Sequence, residues 1–255
     1  MTIKKRFIAT INMIDGLAVQ SYGYKKYLPI GSPVDLVENF NRWGVDEILI
    51  QDIGATKSNR SPNFKVIEMI SNLKINTPLI YGGGIRNCSD AVRAVNAGAD
   101  RIVCGNLFIE KIDEIKKISD TLGAQAIIIS IPVKTVKKDL FFFDYLKKNF
   151  LNLKLMINNI NNSNLFSEIL LTDASNEGFD KKFNMDIFNF FKLCNKDIIY
   201  FGGLNSLKSI KMIISKKKTA AIAQGNFLTY KELSYQNFLE KISSNFFRKS
   251  YYDNI

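Results

Sequence analysis

The chain contains no histidine. That absence excludes Ser-His and Cys-His nucleophilic couples and every imidazole metal site. Cysteine is nearly as scarce: Cys88, Cys104 and Cys194 are odd in number, scattered, and never spaced as CxxC. They give no disulfide framework and no zinc site, so a reduced compartment is expected. No apolar run approaches the roughly 20 residues that a spanning helix needs. The opening Met1-Thr2-Ile3-Lys4-Lys5-Arg6 leads into a strand-like run without a signal-peptide core, which predicts a cytoplasmic protein with no membrane partner.

Acidic residues are in deficit, 24 against 35 Lys and Arg, for a formal net charge of +11. The lysines are spread along the chain, and the densest run, Lys216-Lys217-Lys218, falls at a predicted helix end. A solvated basic surface, or anionic small molecules, explains this better than a nucleic-acid partner. A composition of 46% hydrophobic and 23% charged residues is that of a globular chain.

What the sequence does have is a repeat. Ile80-Tyr81-Gly82-Gly83-Gly84-Ile85 returns about 120 residues later as Ile199-Tyr200-Phe201-Gly202-Gly203-Leu204. Val103-Cys104-Gly105-Asn106 returns as Ala223-Gln224-Gly225-Asn226, and Glu47-Ile48-Leu49-Ile50-Gln51-Asp52 as Glu168-Ile169-Leu170-Leu171-Thr172-Asp173. A long internal repeat marks a duplicated supersecondary unit. Short apolar runs, read as buried strands, alternate with amphipathic stretches. Strands are expected at Phe7–Ile11, Ile48–Ile50, Pro78–Tyr81, Arg101–Cys104, Ala126–Ile131, Ile169–Leu171, Ile198–Tyr200 and Ala220–Ala223.

Ser32-Pro33 predicts an N-capped helix with Val34, Val37 and Phe40 inward, stopped at Gly44. Ser61-Pro62 predicts a second, with Val66, Ile67, Met69 and Ile70 as its stripe. Later helices are expected around Met185–Leu193, Leu207–Ile214 and Leu233–Ile242. Tyr22–Tyr27 reads as an aromatic loop, Phe141-Phe142-Phe143 as a hairpin or extended loop, and the asparagine-rich stretch 158–164 as a poor helix. Eight strand-helix units in two similar halves predict one α/β domain over residues 1–255, a (β/α)₈ TIM barrel with half-barrels of about 1–122 and 123–245.

In such a barrel the chemistry sits on the ring of strand C-termini. Gly83, Gly84, Gly105 and Asn106 in the first half, and Gly202, Gly203, Gly225 and Asn226 in the second, fall there. Exposed backbone N–H groups at these turns suit a ligand with a phosphate at each end, whereas tight turns alone would also call for glycine. Asp52 and Asp173 end strands and could carry protons, or could tie down neighbouring loops.

At these residues the chain resembles the cyclase subunit of imidazole glycerol phosphate synthase, over nearly its whole length. The most specific pieces are Gly31-Ser32-Pro33, Asp46 to Ile53, Gly82-Gly83-Gly84-Ile85-Arg86, Gly98-Ala99-Asp100-Arg101 and Glu168 to Thr172. The resemblance implies a cytoplasmic barrel of histidine biosynthesis without a cofactor, paired with a class I glutaminase. It also implies a gate for ammonia formed by Arg6, Glu47, Arg101 and Glu168, and a glutaminase contact at Asp100. The family's two catalytic aspartates match Asn12 and Pro132 here, its first-loop lysine matches Gln20, and its second-half loop reads Ser175-Asn176-Glu177-Gly178. Neither an amide nor a proline can exchange a proton near neutral pH, and losing a positioned acid or base costs about 10²–10⁴-fold.

This pattern is similar to the paralogues that accompany surface-polysaccharide or flagellar sugar genes. It implies a barrel that feeds ammonia to a sugar amidotransferase and has lost its own cyclisation. Two other readings stay open: a working cyclase that uses Asp52 or Asp173, and a non-catalytic phosphosugar- or nucleotide-binding barrel.

Overall fold

A computed structural model describes residues 4–230, 234–242 and 246. The expected domain ends, and Leu233 at the start of the last expected helix, lie outside the described residues. Eight parallel strands close on themselves: β1 (Arg6–Ile14), β2 (Glu47–Asp52), β3 (Leu79–Gly82), β4 (Arg101–Cys104), β5 (Ile127–Val136), β6 (Glu168–Asp173), β7 (Asp197–Phe201) and β8 (Thr219–Gln224). Each pairs with the next, and β8 returns to β1 through Arg6↔Ala221 to Ala9↔Gln224. The helices that follow the strands are α1 (Pro33–Trp43), α2 (Phe64–Ser71), α3 (Cys88–Asn96), α4 (Ile112–Leu122), α5 (Leu153–Asn161), α6 (Met185–Phe190), α7 (Leu207–Ile214) and α8 (Ser234–Lys241). The architecture is the expected (β/α)₈ barrel.

Strand alternation sorts the core into two parts. Ile8, Leu49, Ile80, Val103, Ile128, Leu170, Ile199 and Ala221 form an apolar layer inside the barrel. Their neighbours, such as Phe7, Ile48, Tyr81 and Ile102, face outward into the larger core beneath the helices. The axis is therefore lined by side chains that offer no hydrogen bond at mid-height.

Helix α1 forms as its sequence predicts: Ser32 caps Val34 and Asp35, Pro33 opens the helix, and Gly44 closes it at φ +74°. Helix α2 differs in its start. Asn63 takes the cap, accepting from Val66 N–H, and Met69 faces solvent while Val66, Ile67 and Ile70 are buried. The asparagine-rich stretch also departs from expectation, because α5 runs to Asn161. Leu153, Met156, Ile157 and Ile160 give it one continuous apolar face, and burial of that face outweighs the low propensity of the exposed Asn158 and Asn159.

Two hairpins extend the barrel on its C-terminal side. Strand β1 overshoots and pairs with Leu17–Tyr22, which pairs with Lys26–Gly31. The expected aromatic loop is thus the tip of a β-hairpin, with Gly23 at φ +60° and Tyr24 at φ +55° in the turn. Strand β5 does the same with Asp139–Asp144 and Asn149–Asn152. Both half-barrels therefore open with a strand that carries an appended hairpin.

Candidate functional site

At the N-terminal end of the barrel the first residues of β1, β2, β4 and β6 meet across the axis. Arg6 donates to Glu47 Oε1 at 2.9 Å and to Glu168 Oε1 at 2.5 Å. Arg101 donates to Glu168 Oε2 at 2.7 Å, with Glu47 Oε1 at 3.9 Å. None of the three shortest links joins neighbouring strands, except that of Arg6 with Glu47, so the four side chains form a closed ring beneath the Ile8 layer. Burial pushes the Glu47 carboxyl up and the two arginines oppose it. For Arg6 burial works against the charge, but Glu47 and Glu168 more than offset it and hold the guanidinium above its ordinary range. Glu47 Oε2 is buried with no hydrogen-bond partner among the described residues. Asp100 lies beside the ring, exposed, and its carboxylate accepts the Leu79 N–H at 2.7 Å.

At the C-terminal end the first-half residues Gly83, Gly84, Gly105 and Asn106 line a cavity of about 590 Å³, within the range of small-molecule sites. Pro132, Thr172, Tyr24 and Tyr145 contribute to its walls, as do five basic side chains, Lys57, Arg60, Arg86, Lys111 and Lys147. Tyr24 and Tyr145 meet edge to face with ring centroids 5.0 Å apart, and Tyr24 packs down onto the inner apolar layer. The Tyr24 hydroxyl donates to Gln51 at 3.3 Å; the Tyr145 hydroxyl is buried without a partner among the described residues. Burial raises both phenols well above their ordinary values.

The second-half residues Gly202, Gly203, Gly225 and Asn226 line a separate pocket of about 40 Å³, too small for anything but a few water-sized groups. Gly83 and Gly202 share a structural duty. An added Cβ at Gly83 would lie 2.2 Å from the Asp52 carbonyl oxygen, and one at Gly202 would lie 2.6 Å from that of Asp173. Close backbone passage therefore requires glycine at both positions, whatever else binds there.

Asp52 and Asp173 both serve as loop anchors. Asp52 caps the short helix Ile53–Lys57 through Ala55 N–H at 2.8 Å and accepts the Tyr81 hydroxyl at 2.9 Å. Asp173 accepts from Asn184 N–H at 2.8 Å, the Asn176 side chain at 2.7 Å, and the Ser175 and Asn176 backbone. Burial raises both carboxyls, while these hydrogen bonds pull them back toward the charged form. Pro132 faces the cavity; Asn12 lies beneath, buried, with its amide donating to Glu177 Oε1 at 3.3 Å. Gln20 is spent on structural bonds, to Tyr22 within the first hairpin at 3.0 Å and to Thr229 in the short helix Asn226–Tyr230 at 3.2 Å.

Glu177 was not singled out as a site residue by the sequence. Its carboxylate is 1% exposed and takes Ser21 Oγ–H at 3.0 Å, Tyr24 N–H at 3.1 Å and the Asn12 amide. Burial raises this carboxyl above its ordinary value. All three partners lie more than 150 residues away in sequence, so no local pattern announces the contact. Glu177 latches the tip of the first hairpin over the barrel mouth.

Residues 6–234 match the family model described as histidine biosynthesis protein. The chain belongs to that family. An imidazole glycerol phosphate synthase subunit HisF from Clostridium botulinum is 30% identical over 254 residues, covering 94% of this chain and 97% of its own length. One from Sulfolobus acidocaldarius is 29% identical over 229 residues, covering 88% and 90%. A second from Clostridium botulinum is 27% identical over 249 residues, covering 94% and 97%. Among the described residues of this histidine biosynthesis family member, no helix is long and apolar enough to cross a membrane.

Proposed function

We propose that this barrel is a HisF-like subunit that docks a class I glutaminase on its N-terminal face, activates it, and carries the released ammonia up the barrel axis. Its own ring-closing activity is lost, and the ammonia goes to a downstream synthase or an ATP-dependent sugar amidotransferase in the cytoplasm. The observation that carries this reading is the contrast between the two ends. A closed ring of two arginines and two glutamates spans the base, an apolar layer crosses the axis directly above it, and both rim aspartates are spent on loops.

Neutral ammonia crosses an apolar lining far more readily than ammonium does, because a bare charge is costly to desolvate. The free oxygen of Glu47 offers a hydrogen-bond acceptor in the ring. A cyclase needs a positioned proton donor and acceptor at the rim; Asn12 and Pro132 supply neither. The alternative in which Asp52 or Asp173 takes over gains no support from their bonding.

The test is to mix the purified chain with a class I glutaminase from the same source, measuring complex mass and glutamine hydrolysis. A heterodimer with hydrolysis raised at least about tenfold is expected; no complex and no rise overturns the proposal. Cyclisation with free ammonium salts bypasses the glutaminase, and robust product there would return the working-cyclase reading.

A further inference from the structure

Strand β5 runs on past the barrel rim and forms, with Asp139–Asp144 and Asn149–Asn152, a three-stranded sheet beside the mouth. Its two faces differ. Leu140, Phe142 and Leu151 point into the larger core. Phe141, Phe143 and Phe150 alternate to the other face, where Phe150 meets the other two at ring-centroid distances of 5.6 and 5.4 Å and is itself 47% exposed. The rings continue inward. Phe143 meets Tyr145 at 4.8 Å, and Tyr145 meets Tyr24, which rests on the inner apolar layer. One aromatic ladder thus runs from a solvent-facing phenylalanine to the cap of the axis.

The charge around this ladder has one sign. Between Val133 and Asn152 stand five lysines and two aspartates. Asp144 is buried and bonded to the Asn106 amide at 2.6 Å, and Lys147 is paired with Glu110 at 2.9 Å. The other four lysines, Lys134, Lys137, Lys138 and Lys148, have no ion pair among the described residues. Lys134 lies over the Phe143 ring at 3.4 Å; burial, and then Lys25 of the first hairpin, lower its ammonium below the ordinary value. Lys137 and Lys138 make the two-residue turn between the paired Val136 and Asp139, at φ +47° and +75°. Asparagine and glycine fit such a turn with least strain, so two lysines place charge there against backbone preference.

We propose that this aromatic face is the docking surface for the enzyme that consumes the ammonia, a protein whose matching surface is apolar at its centre and acidic around it. The assignment rests on the ammonia-conducting reading, because the face borders the exit of the axis. Aromatic side chains at the centre of a charged surround are the make-up of a protein interface, and a basic surround selects an acidic partner. Single-stranded nucleic acid stacks its bases on open ring faces. Here the rings meet edge to face or tilted, and Lys134 covers Phe143. A membrane surface takes apolar side chains that lead into the lipid; here the turn carries lysines and the rings sit mid-strand.

The test measures binding of a purified ATP-dependent sugar amidotransferase from the same source, by interferometry, to the full chain alone and to its complex with the glutaminase. The wild type should bind one to one, more weakly as salt rises from about 0.05 to 0.5 M. Phe150→Ser should weaken binding at least about tenfold with the melting temperature kept. The double variant Lys137→Asn/Lys138→Gly gives the turn its least strained sequence. It should melt no lower than the wild type, yet bind the amidotransferase several-fold more weakly and with less dependence on salt. Neither change should alter the glutaminase complex or glutamine hydrolysis. Amidotransferase binding that both variants retain overturns the surface while leaving the conduit reading intact. A wild-type chain that binds the amidotransferase through these residues but not the glutaminase supports the surface and removes the conduit. No amidotransferase binding by the wild type overturns the proposal. So does wild-type binding to anionic phospholipid vesicles or to oligouridylate that the same variants abolish.

Discussion

Removing Glu168 is the sharpest perturbation of the ring at the base, because that one carboxylate holds both arginines. In Glu168→Ala the guanidiniums of Arg6 and Arg101 share Glu47 alone, one at 2.9 Å and the other at 3.9 Å. Breaking a fully buried pair costs about 3–5 kcal/mol, and breaking an exposed one about 0.2–1. The ring lies near the buried limit, with side chains 9–16% exposed, so a loss of about 2–3 kcal/mol is expected. For a chain of this size that is a fall in melting temperature of about 4–12 °C. Glu38→Ala supplies the control: it breaks a helical i,i+4 pair with Arg42, whose side chains are 45% and 71% exposed, and should shift the melting temperature by no more than about 2 °C. Both are read by circular dichroism melts at neutral pH. A Glu168→Ala shift no larger than the control's would mean that the ring is solvated like an ordinary surface pair. It could not then seal the base of the axis.

Three other outcomes follow from the geometry. Gly178→Ala places a Cβ 1.7 Å from the Ser21 carbonyl oxygen at φ +74°, and should cost about 3 kcal/mol and loosen the first hairpin, seen as faster amide hydrogen exchange across Leu17–Tyr22. Cys104, buried with its thiol pushed up to about 12, should resist alkylation in the native state at pH 8, while the half-buried Cys88 reacts; equal labelling refutes the burial argument. Glu177 has a raised carboxyl, so it lends most stability below the ordinary carboxylate range and loses it as pH rises through the raised value. Glu177→Gln should therefore compare better with the wild type at pH 8 than at pH 4.5, and an equal deficit at both pH values in thermal melts would sink that account.

Much of the barrel is legible in the sequence because its signals are local or periodic. The two glycine turns announce themselves because a side chain there would strike the carbonyl of the preceding strand's aspartate, a constraint that each half meets independently. Helix α1 carries its cap, its proline and its stop within a dozen residues. Where reading from sequence falls short, a distant partner decides. Asparagine propensity speaks against α5, but four inward apolar residues fix it against the barrel. The aromatic loop becomes a hairpin because β1 continues past the barrel rim and offers it an edge.

The rim shows why repeats mislead about sites. Gly225-Asn226 copies Gly105-Asn106 in sequence, yet Asn106 keeps one bond, to Asp144 at 2.6 Å, where Asn226 makes three. The difference lies in neither asparagine. It comes from Ser21 of the first hairpin and from Gly178, which Glu177 and its loop hold against the second-half turn, while Tyr24 at the hairpin tip reaches the wall of the first-half cavity. Duplication preserves backbone turns, since each turn is forced by its own half. Access to those turns is set by whatever chain lies across them, and here one carboxylate from the loop after β6 decides it. The same contact seats Tyr24 on the inner apolar layer, so the closure of the second-half pocket and the capping of the axis are one structural event. Any ligand or partner that lifts the first hairpin must break the Glu177 bonds, and would open both together.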